Sequence, residues 1–176
     1  MSNTAALEQY RANRKVTDAK LLKLVTSPLS FNAFLLAKLP MGFIAGLRVK
    51  ELTMEKCSIT VPYRWMNTNP FKSTYFAVLA MAAEMSTGML ALIGTMDSKP
   101  SVSMLVTHLE ADFTKKATGI TTFTCSDGQA IFDAIEKAIL TGEGQNITTT
   151  SIGLSKDGHE EARFRIQWSF KARLKA

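Results

Sequence analysis

The stretch that decides the fold runs Tyr75-Phe-Ala-Val-Leu-Ala-Met-Ala-Ala-Glu84-Met-Ser-Thr-Gly88-Met-Leu-Ala-Leu-Ile-Gly-Thr-Met96. Its 22 residues carry one charge, Glu84. At about 1.5 Å rise per residue it makes a helix about 30 Å long. A helix that is apolar all round must be covered all round, by lipid or by protein. Lipid is the poorer cover, because a carboxylate near the middle of a span costs about 3 kcal/mol. Ala, Ser, Thr and Gly also hold the segment's hydrophobicity to a moderate level. The helix therefore reads as the centre of a globular domain.

The flanking chain supplies the cover. Leu47–Thr53 and Cys57–Val61 alternate apolar and polar residues, with Met54-Glu55-Lys56 as a short connection, so they form a hairpin. Ser101–Phe113 and Gly119–Cys125 are further strands. Ser126-Asp127-Gly128 opens a second helix with Ile131, Ile135, Ala138 and Ile139 on one stripe, and Gly142 caps it. Asn146–Lys156 is a Thr-rich strand, followed by the hairpin signal Asp157-Gly158. In the last strand Ala162, Phe164, Ile166, Trp168, Phe170, Ala172 and Leu174 face one way, and Arg163, Arg165, Gln167, Ser169, Lys171 and Arg173 the other. One wet face and one dry face mark an antiparallel sheet. The first 39 residues read as helical, with Leu7, Tyr10, Leu21, Leu24 and Val25 loosely on one face. Ser27-Pro28 starts a new helix, Pro40 stops it, and Gly42 and Gly46 loosen the chain before the hairpin. The expected class is α+β: a curved antiparallel sheet around one long helix, with extra N-terminal helices. The division is residues 1–39 as a helical extension and residues 40–176 as the main domain.

Composition narrows the function. With 176 residues, 46% hydrophobic and 20% charged, the chain is neither disordered nor low in complexity. Its net charge of +6 is spread out rather than gathered in a stripe, which argues against nucleic acid as a partner. The two His, at 108 and 159, and the two Cys, at 57 and 125, have no metal-ligand spacing, so no metal site is expected. Both cysteines read as buried small hydrophobes in a reducing compartment. The first ten residues lack an apolar signal core, so the expected location is the cytoplasm.

Glu84 draws the chemistry to itself. A buried carboxylate must be paired, solvated in a cavity, or protonated. Ala77, Ala80, Thr87, Gly88 and Ala91 lie three, four or seven positions away and leave room beside it. A carboxylate with a raised pKa in such a space suits a general base. The competing reading is a structural Glu bonded to an Arg, Lys or Tyr, or across a dimer seam. Upstream, the loop Tyr63–Lys72 is rich in aromatics and Asn.

This layout resembles the hotdog-fold acyl-CoA thioesterases of the phenylacetyl-CoA and 4-hydroxybenzoyl-CoA type. Those enzymes carry an Asn or Gln, often a His-Gly-Gly at the helix start, and a helix carboxylate 15 positions after the Asn. Here Asn69 is followed at that spacing by Glu84. Tyr75 stands at the position of the family's His, and Phe76 and Ala77 at its two glycines. Leu109–Phe113 and Lys115–Gly119 are similar to the family's next strand and its basic turn. The resemblance covers about Pro40 to Arg173 and is closest to thioesterase-like hotdog proteins that lack the His-Gly-Gly.

The resemblance implies hydrolysis of an acyl thioester, with coenzyme A as part of the substrate and no metal or redox cofactor. Glu84 is then the base or nucleophile, Asn69 orients the carbonyl or the water, and a backbone N–H of Phe76 or Ala77 polarises the carbonyl. Tyr75 either donates its hydroxyl or packs. Phe and Ala in place of glycine narrow the approach to the backbone. Thr87 and Gly88 lie beside the carboxylate, Asn67 is a weaker candidate, and Trp65 with Phe71 either walls an acyl pocket or joins the core. Lys115 and Lys116 either hold CoA phosphates or end a strand in solvent. His108 reads as a solvent-facing or dimer-edge residue. The resemblance also implies a homodimer or a dimer of dimers with the site between subunits. A non-catalytic acyl- or lipid-binding module is the alternative. A dehydratase is weaker still, since the helix and loop hold no His.

Overall fold

The computed structural model describes residues 3–173, and the side chains of residues 15–22 and 26 are outside that description. Leu174 and the side chain of Leu21, both assigned above to apolar faces, fall outside the described residues. Three helices come first: α1 (Asn3–Thr26), α2 (Pro28–Lys38) and α3 (Pro40–Ala45). The hairpin β1 (Arg48–Leu52) and β2 (Cys57–Val61) follows, then a single 3-10 turn (Trp65–Asn67) and the long helix α4 (Phe76–Thr95). Strands β3 (Ser101–Phe113) and β4 (Thr121–Cys125), helix α5 (Gly128–Thr141), and strands β5 (Gln145–Leu154) and β6 (Glu160–Arg173) complete the chain.

The six strands form one antiparallel sheet in the order β1-β2-β4-β5-β6-β3. Helix α4 lies on its apolar face. The helix is long and apolar enough to cross a membrane by length and composition, yet protein buries 11 of its 20 residues. Ala82, Ala83, Leu90 and Ile93 pack with Ile59, Phe123, Phe164 and Phe170 of the sheet in one core. Burial alternates along β6 as the sequence pattern requires, with Ala162, Phe164, Ile166, Trp168, Phe170 and Ala172 all buried. Helix α5 adds its Ile131-Ile135-Ile139 stripe to the same core and ends at Gly142, as expected. This is the hotdog arrangement that the sequence led us to expect.

The N-terminal helices lie against this body. Asn3 Nδ2 donates to Leu140 O at 2.8 Å, and the Arg11 guanidinium pairs with Glu136, so α1 is tied to α5. Ser27 caps α2 by accepting a hydrogen bond from Ser30 N. One local expectation fails here. Gly42 and Gly46 do not loosen the chain. Residues Pro40–Ala45 form α3, begun by Pro40 and closed by Gly46 in the left-handed region at φ 74°. Gly42 is buried, and a Cβ there would meet Met85 Cε at 3.4 Å. Close packing of α3 on α4 and a left-handed cap explain the two glycines.

Cys57 and Cys125 are directly opposite one another on β2 and β4, and both are fully buried. Burial pushes both thiols up, Cys125 to about 12. The thiolate is the reactive form, so these thiols are inert in the folded chain. In an aromatic disulfide assay at pH 8 the native protein is expected to release no chromophore over minutes. In denaturant both cysteines should react at once. Rapid labelling of the native chain would contradict this packing.

Candidate active site

The loop between β2 and α4 is built by two asparagines. Asn67 is buried, and its Nδ2 donates to Ala45 O at 2.9 Å and Pro62 O at 2.7 Å. Its own carbonyl accepts Tyr75 N at 2.7 Å. Asn67 thus joins the ends of α3 and β2 to the start of α4, and both amide protons are spent inside the protein. That leaves it no donor for a substrate. Asn69 folds the next turn: its Oδ1 accepts Phe71 N (2.9 Å) and Ser73 N (3.2 Å), and its Nδ2 donates to Ser73 Oγ at 3.1 Å. This is the turn-capping role open to any Asn before Pro, carried out at the lip of a hollow.

That hollow, about 610 Å³, lies at the N-terminus of α4. It gathers Asn69, Phe71, Tyr75, Phe76, Lys115 and Lys116, six of the residues singled out from sequence. From its apolar wall of Tyr75, Phe76 and Phe113, a chain of edge-to-face ring contacts with centroids 4.9–6.3 Å apart runs on to Phe164 and Phe123 in the core. Val78 N and Leu79 N both bond to Tyr75 O, and no side chain caps the helix. The amides of Phe76 and Ala77 are therefore the first-turn donors left for an anion or a polarised carbonyl. Lys116 Nζ donates to Phe71 O at 3.3 Å, and Lys115 is exposed at the rim. Thr74 lines the same hollow, and its hydroxyl is buried with no hydrogen-bond partner. A buried hydroxyl without a partner among the described residues is costly, which marks Thr74 as a candidate that sequence reading missed. Only its place just before a helix start could have marked it.

Glu84 lies two turns further along α4, facing a separate cavity of about 230 Å³. Its walls are Leu39, Pro40, Met41, Gly42, Leu47, Met81 and Met85, with Lys38 at the edge. No hydrogen bond or ion pair to the Glu84 carboxylate is found among the described residues, which removes the reading of a structural Glu paired within the subunit. Burial raises its pKa above the usual carboxylate value. The carboxylate lies over Gly88, where a Cβ would come within 3.0 Å of Glu84 Oε1 and 3.4 Å of Trp168 Cζ2. Any larger residue at 88 would push against the carboxylate or the indole. Trp168 is held there by its Nε1–H, which donates to Thr87 Oγ1 at 3.0 Å. Thr87 in turn donates to Glu84 O at 2.9 Å and is fully buried. Thr87 therefore positions the floor of the carboxylate's site and does not line the site itself. Trp168, read from sequence only as core, is part of that floor. Its signal was unreadable because the helix and β6 are 81 residues apart.

The remaining candidates are elsewhere. Trp65 is 84% exposed, away from both spaces. His108 is exposed on β3, 3.4 Å from Glu110. Among the described residues no group of three His, Cys, Asp or Glu could hold a metal ion.

The comparisons agree with this architecture. A family model described as "Domain of unknown function (DUF4442)" matches residues 29–170. A Pseudomonas aeruginosa protein of unknown function, called a probable thioesterase, superposes with a TM-score of 0.71 at 18% identity, over 84% of this chain and 97% of its own. A mutant thioesterase from the same organism gives 0.64 at 14% identity, over 84% and 95%. A thioesterase from Haemophilus influenzae gives 0.57 at 11% identity, over 85% and 93%. At these identities the likeness establishes the hotdog fold. No curated protein sequence matches the chain.

The raised Glu84 pKa has a thermodynamic consequence. The fold favours the protonated carboxyl, so its contribution is fully present below the ordinary value of 4.5 and is lost as pH rises through the raised one. Each unit of elevation is worth ~1.4 kcal/mol. Chemical denaturation of wild type and Glu84→Gln across pH 4–8 should show wild type losing stability relative to the variant as pH rises, then levelling. A constant difference over that range would place an ordinary carboxylate at this position.

Proposed function

We propose that this chain, which belongs to the DUF4442 family, hydrolyses acyl thioesters, acyl-CoA in the first instance, with Glu84 as the general base. The observation that carries this reading is a lone carboxylate, without a partner in its own subunit, on an apolar core helix beside an apolar cavity. The thioesterase names of several hotdog neighbours support it. In the step envisaged, Glu84 takes a proton from water as the water oxygen attacks the thioester carbon. First-turn amides of α4 donate to the oxyanion. The C–S bond then breaks, and the thiolate takes the proton from the Glu84 carboxyl. Asn69, whose Nδ2 donates to Ser73 Oγ and Thr74 O, holds the turn that presents those amides, Tyr75 stands beside them with a hydroxyl to offer the carbonyl, and Lys115 and Lys116 add positive charge at the entry.

In one subunit the hollow and the carboxylate are eight residues apart on α4, about 12 Å along its axis. One copy therefore brings either the carboxylate or the oxyanion donors to a given thioester, not both. A second copy completes the site. Strand β3 favours this: it is a 13-residue sheet edge with Leu105, Leu109 and Phe113 exposed. Such an edge is a template for pairing with another chain, and we read the active unit as a homodimer joined there. Two free buried thiols suit a reducing compartment, so we place it in the cytoplasm.

One observation favours the second reading, an acyl-binding module. Phe76 occupies a position where the resembling enzymes have glycine, and its ring packs on Tyr75 and Phe113 beside the helix amides. Thiol release from a panel of short, long and aromatic acyl-CoAs separates the two readings. Wild type should turn over at least one member, and Glu84→Gln should lose about a hundredfold or more. Turnover unaffected by Glu84→Gln sinks the mechanism. A bound lipid in a chain without turnover makes it a binding module. Separately, Leu109→Lys at the β3 edge should give a monomer by light scattering and lose turnover with it. An active monomer would refute the two-copy site.

A further inference from the structure

On the far side of α3 from Glu84 is a third open hollow, about 500 Å³, that the proposed chemistry does not use. Leu47 lines both this hollow and the Glu84 cavity, so the two are separated only by the thickness of a short helix. The hollow brings together two guanidinium groups, Arg48 and Arg64, and the exposed indole of Trp65, against Phe43 and Ile44. We propose that it binds a purine nucleotide, and, resting on the thioesterase reading, that this nucleotide is the handle of the acyl carrier.

Arg64 is fixed in place before any ligand arrives. Its Nη2 donates to Ile44 O at 2.6 Å. The guanidinium lies against Gly46, where a Cβ would meet its Nη2, so a larger residue at 46 would displace it. One of its five donors is spent on the carbonyl, and the others are left for an anion. Among the described residues neither Arg48 nor Arg64 has a carboxylate within ion-pair distance. Arg11 and Arg14 pair with Glu136, Arg163 with Glu160, and Arg165 with Glu110 and Asp112, while Arg173 at the end of β6 shares the unpaired state among the described residues but lines no hollow with a second guanidinium. Two guanidiniums in one concavity, neither paired with a carboxylate among the described residues, suit an anionic ligand. The planar fork matches phosphate oxygens bidentately.

The second half of the recognition is aromatic. Trp65 is 84% exposed, whereas the other tryptophan, Trp168, is 4% exposed. An indole left in water beside fixed positive charge offers a stacking face for a planar base. The volume suits a small molecule and is too confined for a folded partner. Lys115 and Lys116 are the competing place for phosphates, but they are flexible point charges, and one of them is bonded to Phe71 O.

Titration calorimetry with adenosine 3′,5′-bisphosphate, read also by tryptophan fluorescence, tests the site directly. Wild type is expected to bind, and Arg64→Gln and Arg48→Gln to weaken binding by about tenfold or more. Trp65→Phe should lose the fluorescence change. Arg48→Gln guards against misfolding, since Arg48 is exposed and makes no side-chain bond in the fold. No binding by wild type at millimolar ligand, or loss through Lys115→Gln and Lys116→Gln instead, overturns the inference. The source of the nucleotide is read from kinetics. If it is the carrier's handle, the arginine variants raise KM for an acyl-CoA and leave the same acyl group on N-acetylcysteamine unchanged. Binding with no such split overturns the handle and assigns the hollow to a free nucleotide. Absence of turnover on every thioester would remove the thioesterase reading while the calorimetry still decided the nucleotide.

Discussion

The structure depends on the burial of α4. Its twenty residues carry one charge, and no amphipathic side is left for solvent, so the helix exists only if a surface encloses it. The six-stranded sheet is that surface. Burying a Leu or Ile side chain contributes about 1.5–3 kcal/mol, and Leu79, Leu90 and Ile93 of the helix are all buried against the sheet core. The sheet's order and its alternating strands follow from the same need, since every core-facing residue of β6 has α4 or its neighbours to meet.

Enclosure of this kind makes the single carboxylate conspicuous. On a solvated helix Glu84 would be an ordinary surface residue. Within this core it is held over Gly88, against an indole fixed by Thr87, with no partner among the described residues. The floor is rigid because a hydrogen bond across the helix–sheet interface locks it. The roof is the α2–α3 elbow, which the hairpin alone would not supply. The α2–α3 elbow therefore walls the carboxylate's cavity as well as covering the core.

The hollow at the N-terminus of α4 is built on a different principle. There the backbone is shaped by side-chain amides: Asn67 ties three elements together, and Asn69 folds the turn that delivers the chain to the helix. Phe76 and Ala77 stand where the resembling enzymes have glycines, and an aromatic chain from Tyr75 through Phe76 to Phe123 links the mouth of the hollow to the core. The helix start is consequently firmer and narrower than a glycine-rich one.

Much of this was legible in the residues. The long helix, the hairpin, the α5 stripe and the two faces of β6 all follow from periodicity, because burial on one side forces a period of 3.6 or 2. Glu84 was legible for the same reason, as the single exception to an apolar pattern. Helix α3 was not, since six residues with two glycines show no period, and their order comes from packing on α4. Nor could the sequence show that Asn67 is a brace, that Thr87 and Trp168 meet, that Thr74 is orphaned, or that Arg48 and Arg64 share a hollow with Trp65. Periodicity is local and is written along the chain. Which polar groups find partners, and which are left without one, depends on contacts between residues far apart in sequence, and only the tertiary structure decides that.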